Sequence, residues 1–323
     1  MIETAFTKLV GVARPLQAAG LPAITTQDLV AAVCSAGGLG MVPTPLVSPA
    51  RLEATLDALA ERTRGRFGAN FLMPFLDLDC LDIAARKARV VEFFYGDPED
   101  ALVKRAGQHG ALVSWQVGSL REALAAERAG CDFIVAQGSE AGGHVRGTAG
   151  LLPLLAQVLG AVRVPVLAAG GIATARDLAA VLAAGAAGAR LGTRFVACRE
   201  SGAHQDYIAA LLAARAEDTC LTQAFSAGWP NAPHRVLRSA IDAASALTGD
   251  VAGEIVLEGR VVPLERWSVI APTRETSGKI DAMALYAGES VASIDAITPA
   301  AEIVRELCDG AEALLRAAAG LLR

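Results

Sequence analysis

The feature that most constrains this chain is a rhythm of short β-type runs, each followed by a helix-like stretch. Eight runs recur: Pro15-Leu16-Gln17, Leu39-Gly40-Met41-Val42, residues 67–72 (FGANFL), 90–95 (VVEFFY), 111–117 (ALVSWQV), 133–137 (FIVAQ), 164–169 (VPVLAA) and 189–195 (ARLGTRF). Between them lie segments such as 26–35, 49–61, 120–129 and 175–184, the last two with apolar residues at helical spacing. Gly130 and Gly185 follow two of these segments, as suits a helix C-terminus. Strands alternating with helices predict a parallel sheet. Eight of them fit a closed barrel better than an open sheet, so the expected fold is α/β, a (β/α)8 TIM barrel.

After about Ala213 the rhythm breaks. Residues 214–291 hold Pro230, Pro233, Pro263, Pro272, Trp229 and Trp267 in a mixed pattern. They read as a smaller, partly helical lid domain over one barrel mouth, inserted before a C-terminal amphipathic helix from Pro299 to Arg323 that docks back on the barrel. The expected division is 1–213 plus 292–323 for the barrel and 214–291 for the lid. Tyr286, Trp229 and Trp267 fit either a pocket wall or lid core, and lid core suits the tryptophans better.

With 53% hydrophobic but only 5% aromatic residues, aliphatic side chains must fill the core. The net charge of −5 and the lack of a basic cluster exclude a nucleic-acid footprint. A charge-free stretch near 147–162 is broken by Pro153 and glycines and is too short to span a membrane. The N-terminus lacks the apolar run of a secretory signal, so a cytoplasmic location is expected. Six scattered cysteines without a CxxC pair read as reduced thiols. No Walker motif, GxSxG elbow, HExxH or dinucleotide fingerprint is present, and metal catalysis has no support.

Three constellations carry chemistry. Ala169-Gly170-Gly171 follows the seventh run, with Thr174 or Ala175 opening a helix. Adjacent glycines let the backbone approach an anion, and a helix start offers N–H donors. Gly192-Thr193 ends the eighth run and adds a hydroxyl. Each turn alone fits a tight βα connection equally well. Together they occupy the loops after strands 7 and 8, where barrels frequently hold phosphate, and so predict a phosphate-bearing ligand. The third is residues 137–144, from Gln137 through Glu140, Gly142 and Gly143 to His144. Its glycines let a loop lie against a planar ligand, and His144 brings a side chain suited to proton traffic near neutrality. His109, His204 and His234 read as surface histidines on flexible loops. Asn70 and Gln116, polar residues in otherwise apolar strands, need partners when buried, and a heteroaromatic ligand with imide edges would provide them.

These segments are familiar. QGSEAGGH at 137–144, AAGGI at 168–172, LGTRF at 191–195 with Glu200-Ser201 after it, SAGGLGMV at 35–42, YAGES at 286–290 and TPAAEIVREL at 298–307 resemble the nitronate monooxygenase family. That family was formerly called the 2-nitropropane dioxygenases and shares motifs with FMN-dependent enoyl-ACP reductases. The resemblance implies non-covalent FMN, with its phosphate on the AAGGI and GTRF loops and His144 as the catalytic residue. It implies cofactor contacts from Gln17, Ala18, Ala19, Asn70, Gln116, Gln137, Glu140, Gly142, Gly143, Ala169, Gly170, Gly171, Gly192 and Thr193.

Three positions depart from the family pattern. Gln17-Ala18-Ala19 stands where Q-A-P-M is usual, Gln116 where strand 5 often ends in Lys or His, and Glu289 where a Gln is usual. The implied activity is oxidation of an alkyl nitronate, or a nitroalkane with His144 as general base, by O2 to a carbonyl compound and nitrite. The alternative is an NAD(P)H-dependent enoyl-thioester or quinone reductase. A homodimer is compatible with either. A third reading, a flavin-free barrel binding a phosphorylated metabolite, predicts a colourless protein.

Overall fold

The computed structural model describes residues 2–257 and 259–320. Eight parallel strands form one sheet: β1 (Leu16–Ala18), β2 (Gly40–Pro43), β3 (Phe67–Leu72), β4 (Val90–Phe94), β5 (Leu112–Val117), β6 (Phe133–Gln137), β7 (Val166–Ala169) and β8 (Gly188–Leu191). They pair in sequence order, and β8 pairs with β1. The sheet closes between β1 and β2, where Ala18 N–H donates to Leu39 C=O at 2.9 Å and Leu39 N–H to Leu16 C=O at 2.9 Å. The chain is therefore the (β/α)8 barrel that the rhythm predicts. The eighth strand stops at Leu191, because Gly192 turns the backbone into a short helix, Thr193–Val196, where sequence pattern alone continues the strand to Phe195.

Strand alternation sorts side chains into two sets. Leu16, Ala18, Ala69, Phe71, Val91, Phe93, Val113, Trp115, Ile134, Ala136, Val166, Ala168, Ala189 and Leu191 face the helix ring and form one core with it. The other set faces inward. Its lowest layer is apolar, with Met41, Val90, Phe133 and Leu167 packed against Phe6 and Val10 of the helix Ala5–Val10, which plugs that mouth. Phe6 meets Phe133 edge-on at 5.4 Å. The next layer is polar, built from Gln17, Asn70, Glu92, Ser114 and Arg190, all buried. Residues one layer further up, such as Leu72, Phe94 and Gln116, line the opposite mouth.

The C-terminal helix Ala300–Ala319 lays Ala300, Ile303, Val304, Leu307, Cys308 and Ala311 into the outer core, so it docks on the barrel; residues 321–323 lie outside the described residues. Residues 214–291 are richer in strand than the proline content suggests. Thr219–Thr222 and His234–Leu237 pair antiparallel, and the latter also pairs with the two-residue strand Gly143–His144. A hairpin, Val251–Leu257 with Arg260–Glu265, adds a third strand, Thr276–Gly278. Phe225, Val236 and Leu285 from this segment share a core with Ile24, Ala173 and Val196 at the barrel mouth.

Candidate active site

Between the upper ends of the strands and residues 227–229, 268–271 and 286 lies a cavity of about 320 Å³. Its wall includes Ala19, Asn70, Gln116, Gln137, Gly142, Gly143, His144, Ala169, Gly170, Gly171, Gly192 and Thr193. Twelve of the fifteen residues expected at a site thus meet around one space. Gln17, Ala18 and Glu140 do not line it. Gln17 lies one layer deeper and donates from Nε2 to Glu92 Oε2 at 2.9 Å. Ala18 faces outward into the helix-side core. Both oxygens of Glu140 accept from Leu151 N–H, at 2.8 and 3.0 Å, at the start of the helix Leu151–Leu159. That carboxylate braces the loop from behind.

Gly170 and Gly171 have φ of +103° and +70°, a region that other residues enter only at a cost. The helix that follows is capped differently from the expectation of open donors. Thr174 and Asp177 form a capping box, and Asp177 Oδ2 accepts from Ala173 and Thr174 N–H at 3.0 and 2.9 Å. Those donors are occupied because a carboxylate three residues into a helix folds back on its start. Among the described residues, no hydrogen bond takes up the N–H of Gly171, Ile172, Thr193 or Arg194, so the free donors sit on the two glycine turns themselves. Thr193 Oγ1 accepts from Gly288 N–H at 3.0 Å and keeps its own proton to give. Gly142 is required by contact: a Cβ there would meet Gly288 N at 2.4 Å and Thr193 Oγ1 at 2.8 Å.

Beneath the cavity, strand register sets Asn70, Glu92 and Ser114 side by side, and Gln17 beside Arg190. Glu92 gathers them. Its Oε1 accepts from Asn70 Nδ2 at 3.0 Å and pairs with Arg190 Nη1 at 2.5 Å, and its Oε2 accepts from Gln17 Nε2 and Ser114 Oγ at 2.9 and 3.3 Å. Arg190 also donates to Gln116 Oε1. Burial pulls the Arg190 guanidinium below its usual range, and Glu92 pulls it back up. Arg190 reaches the cavity wall and Glu92 does not, so the pair presents its positive end to the space.

His144 stands at the rim. Its backbone pairs with His234, and its C=O accepts from Gln137 Nε2 at 3.0 Å. Its ring stacks on Trp229 with centroids 3.8 Å apart and meets Tyr95 and Tyr286 at 5.7 and 5.6 Å. Nε2 of His144 and Oε1 of Gln137 are buried without a hydrogen-bond partner. Burial, helped by His234 nearby, pushes the His144 pKa down to about 3, so the ring is neutral at physiological pH. His234 is not the surface histidine expected from the sequence: it is fully buried in a strand because both ring nitrogens find backbone partners, Nε2 accepting from Phe225 N–H at 3.2 Å and Nδ1 lying 2.8 Å from Ala232 C=O. Trp267 packs on Phe225 in the core, as expected, whereas Trp229 and Tyr286 form cavity wall. Backbone strain gathers here as well: Ala23 and Leu46 on the wall and Tyr95 beside His144 have φ of +62°, +67° and +68°. Such conformations persist where surrounding structure over-determines them, often at functional sites.

Sequence reasoning missed Glu92, Ser114, Arg190 and Tyr95. The signal for Glu92 and Arg190 was a single charge between apolar neighbours in VVEFF and GARL, the same signal that singled out Asn70 and Gln116.

The nitronate monooxygenase family model matches residues 3–79 and 76–310. A probable nitronate monooxygenase from Staphylococcus saprophyticus is 31% identical, over 68% of this chain and 76% of its own length. A protein from Rhodococcus jostii (strain RHA1), described as a (3aS,4S,5R,7aS)-5-hydroxy-7a-methyl-1-oxo-octahydro-1H-indene-4-carboxyl-CoA dehydrogenase, is 34% identical over 239 residues. That match spans 74% of this chain and 66% of the relative. Among solved structures, FabK from Thermotoga maritima superposes with a TM-score of 0.81 at 27% identity, over all of both chains. Nitroalkane oxidase from Streptomyces ansochromogenes does so at 0.77 and 28%, over 96% of this chain and all of its own. The family match over nearly the whole barrel and this likeness to full-length enzymes agree: the chain belongs to the nitronate monooxygenase family and is an oxidoreductase.

Proposed function

We propose that this protein binds FMN in the cavity and oxidises alkyl nitronates with O2, two nitronate anions and one O2 giving two carbonyl molecules and two nitrite ions. Residues 214–291 act as the lid over the site. The observation that carries the reading is the juxtaposition of His144, with its unpartnered Nε2, and the free N–H groups of the two glycine turns on one cavity. The residues present fit the cofactor. Four unpaired backbone donors and the Thr193 hydroxyl suit a phosphate. The Oε1 of Gln137 is an acceptor left open for a ring N–H. When bound, FMN supplies the electron transfer that no side chain here offers.

The chain's own residues do the rest. The Gly170–Ile172 and Gly192–Arg194 turns hold the phosphate. The Arg190–Glu92 pair turns its positive end toward the space and so favours an anion there. His144 is neutral and donates a hydrogen bond to the anion rather than carrying charge. A ring with a pKa of about 3 is too weak a base to deprotonate a nitroalkane near neutrality, so the substrate enters as the preformed nitronate. The apolar wall of Leu21, Ile24, Leu72, Phe94 and Val269 excludes water from the reacting atoms.

The test is steady-state turnover by His144→Ala with a nitronate and with its parent nitroalkane. The variant is expected to lose most nitronate turnover, and the wild type to ignore the nitroalkane. Wild-type rates in His144→Ala would remove His144 from the mechanism. A second reading, NAD(P)H-dependent chemistry on an acyl thioester, draws on the cavity's apolar wall, whose single charged residue among those described is the already paired Arg190, and on the acyl-CoA named for the Rhodococcus relative. Fast bleaching of the flavin by NAD(P)H without oxygen, followed by turnover of an enoyl thioester, would favour it.

A further inference from the structure

Arg190 is the one charged side chain on the cavity wall among the described residues. It stands on β8, just before the Gly192 turn, yet its guanidinium does not stay there. Nη1 pairs with Glu92 on β4 at 2.5 Å and donates to Gln116 on β5, strands on the far side of the barrel from β8. The fork is only partly used. Among the described residues no hydrogen bond takes up Nε or Nη2, and neither is a covered atom left without a partner, so these donors open onto the cavity. An arginine keeps its charge when buried and offers its donors in a fixed plane. We propose that Arg190 raises the reduction potential of the bound flavin, and that Glu92 behind it limits the rise.

This inference rests on the reading that the cavity binds FMN. The turns that suit the phosphate follow β7 and β8, whereas the guanidinium is held at β4 and β5. A phosphate on those turns leaves the ring system to the side where Asn70, Gln116 and Gln137 line the wall, on β3, β5 and β6. Reduction adds negative charge to that ring system, and a cation in a buried site favours the charged product. No other group described on the wall supplies such a charge: His144 is held neutral by burial, and the remaining polar side chains there are uncharged. Glu92 works against Arg190. It lies one layer deeper with both oxygens engaged, Oε1 by Asn70 and Arg190, Oε2 by Gln17 and Ser114. It is fully buried and off the wall, so it subtracts from the field at the cavity without reversing it. Gln116 adds no charge, and its Oε1 fixes where the guanidinium points.

The experiment is the two-electron reduction potential of FMN bound to the full chain, read by equilibration with reference dyes in the absence of oxygen. Glu92→Gln removes the opposing charge and is expected to shift the equilibrium at least tenfold toward reduced flavin, about 30 mV upward. The double variant Glu92→Gln with Arg190→Gln removes both charges and is expected to shift it about tenfold the other way. A site that has merely loosened moves both variants in one direction, toward the potential of free FMN. Shifts of the same sign, or a double variant within about twofold of wild type, overturn the inference. Where Glu92→Gln strands too much buried charge to fold, the double variant, which strands none, decides alone: a fall supports the inference, and an unchanged or raised potential overturns it. A chain that stays colourless after reconstitution with FMN sinks the cofactor reading and this inference with it. Bound flavin with unmoved potentials sinks the inference and leaves the cofactor reading standing. No arm uses nitronate or turnover, so the proposed reaction is tested separately.

Discussion

Replacing Glu92 by Leu tests whether the polar layer inside the barrel is an ion pair held by amides or a set of incidental contacts. Leucine leaves the Arg190 guanidinium buried with no counter-charge, and removal of one partner from a buried pair costs about 3–5 kcal/mol. It also strands Gln17 Nε2 and Asn70 Nδ2, whose one acceptor among the described residues is this carboxylate, at about 1–3 kcal/mol each if neither relaxes. The single change should therefore cost at least about 4 kcal/mol, a large share of the roughly 5–15 kcal/mol available to a folded domain. Arg190→Met should cost about as much, because it leaves the carboxylate uncompensated. The double variant should be more stable than the sum of the two predicts by about 2–3 kcal/mol, since each charge is then removed along with its partner. Urea midpoints at constant slope measure all three. A cost below about 1 kcal/mol for Glu92→Leu, or additivity of the two singles within about 0.5 kcal/mol, would refute the reasoning.

Three further expectations follow from the site. Burial lowers the pKa of His144 to about 3 and of His234 in the same direction, so between the unfolded value near 6.5 and about 3 the unfolded chain binds protons that the folded chain does not. Stability is then complete above about pH 6.5 and falls as pH drops toward 3; His144→Gln should flatten that slope in urea midpoints taken from pH 7 to 4, and an unchanged slope would mean that His144 titrates normally. Thr193→Ala removes the acceptor of Gly288 N–H and one hydroxyl from the turn, and should weaken FMN binding about tenfold by equilibrium dialysis, or roughly 1.4 kcal/mol, with wild-type affinity counting against the phosphate assignment. Gly142→Ala drives a Cβ to 2.4 Å from Gly288 N and should cost about 1–3 kcal/mol in thermal or urea unfolding, whereas Gly65→Ala, with open space around it but a φ of +72°, tests backbone strain alone and should cost less.

What the sequence made legible, and what it hid, divides along one physical line. The barrel could be read because each strand's outward face and each helix's inner face must be apolar at their own periods, and this chain keeps both; even β4 and β5, with little glycine to punctuate them, form as expected. The glycine turns could be read because positive φ and close approach select one residue type. Partner choice could not be read. Asn70 read as a group awaiting a ligand, and the family resemblance implied a cofactor contact for Gln17, yet both donate to Glu92, from strands far apart in sequence that barrel closure brings together. Asp177 differs, because its signal is local: Thr174-Ala175-Arg176-Asp177 has capping-box spacing, which marks the helix start as already satisfied. Trp229 was read as core because indoles usually are. It is in fact as buried as core, at 6%, and what sets it apart is the polar ring beneath it. Composition reports how much a side chain prefers to be covered, not what it covers. The features tied to function here are therefore those where one buried group silences another: Glu92 with Arg190, and Asp177 with the start of its own helix.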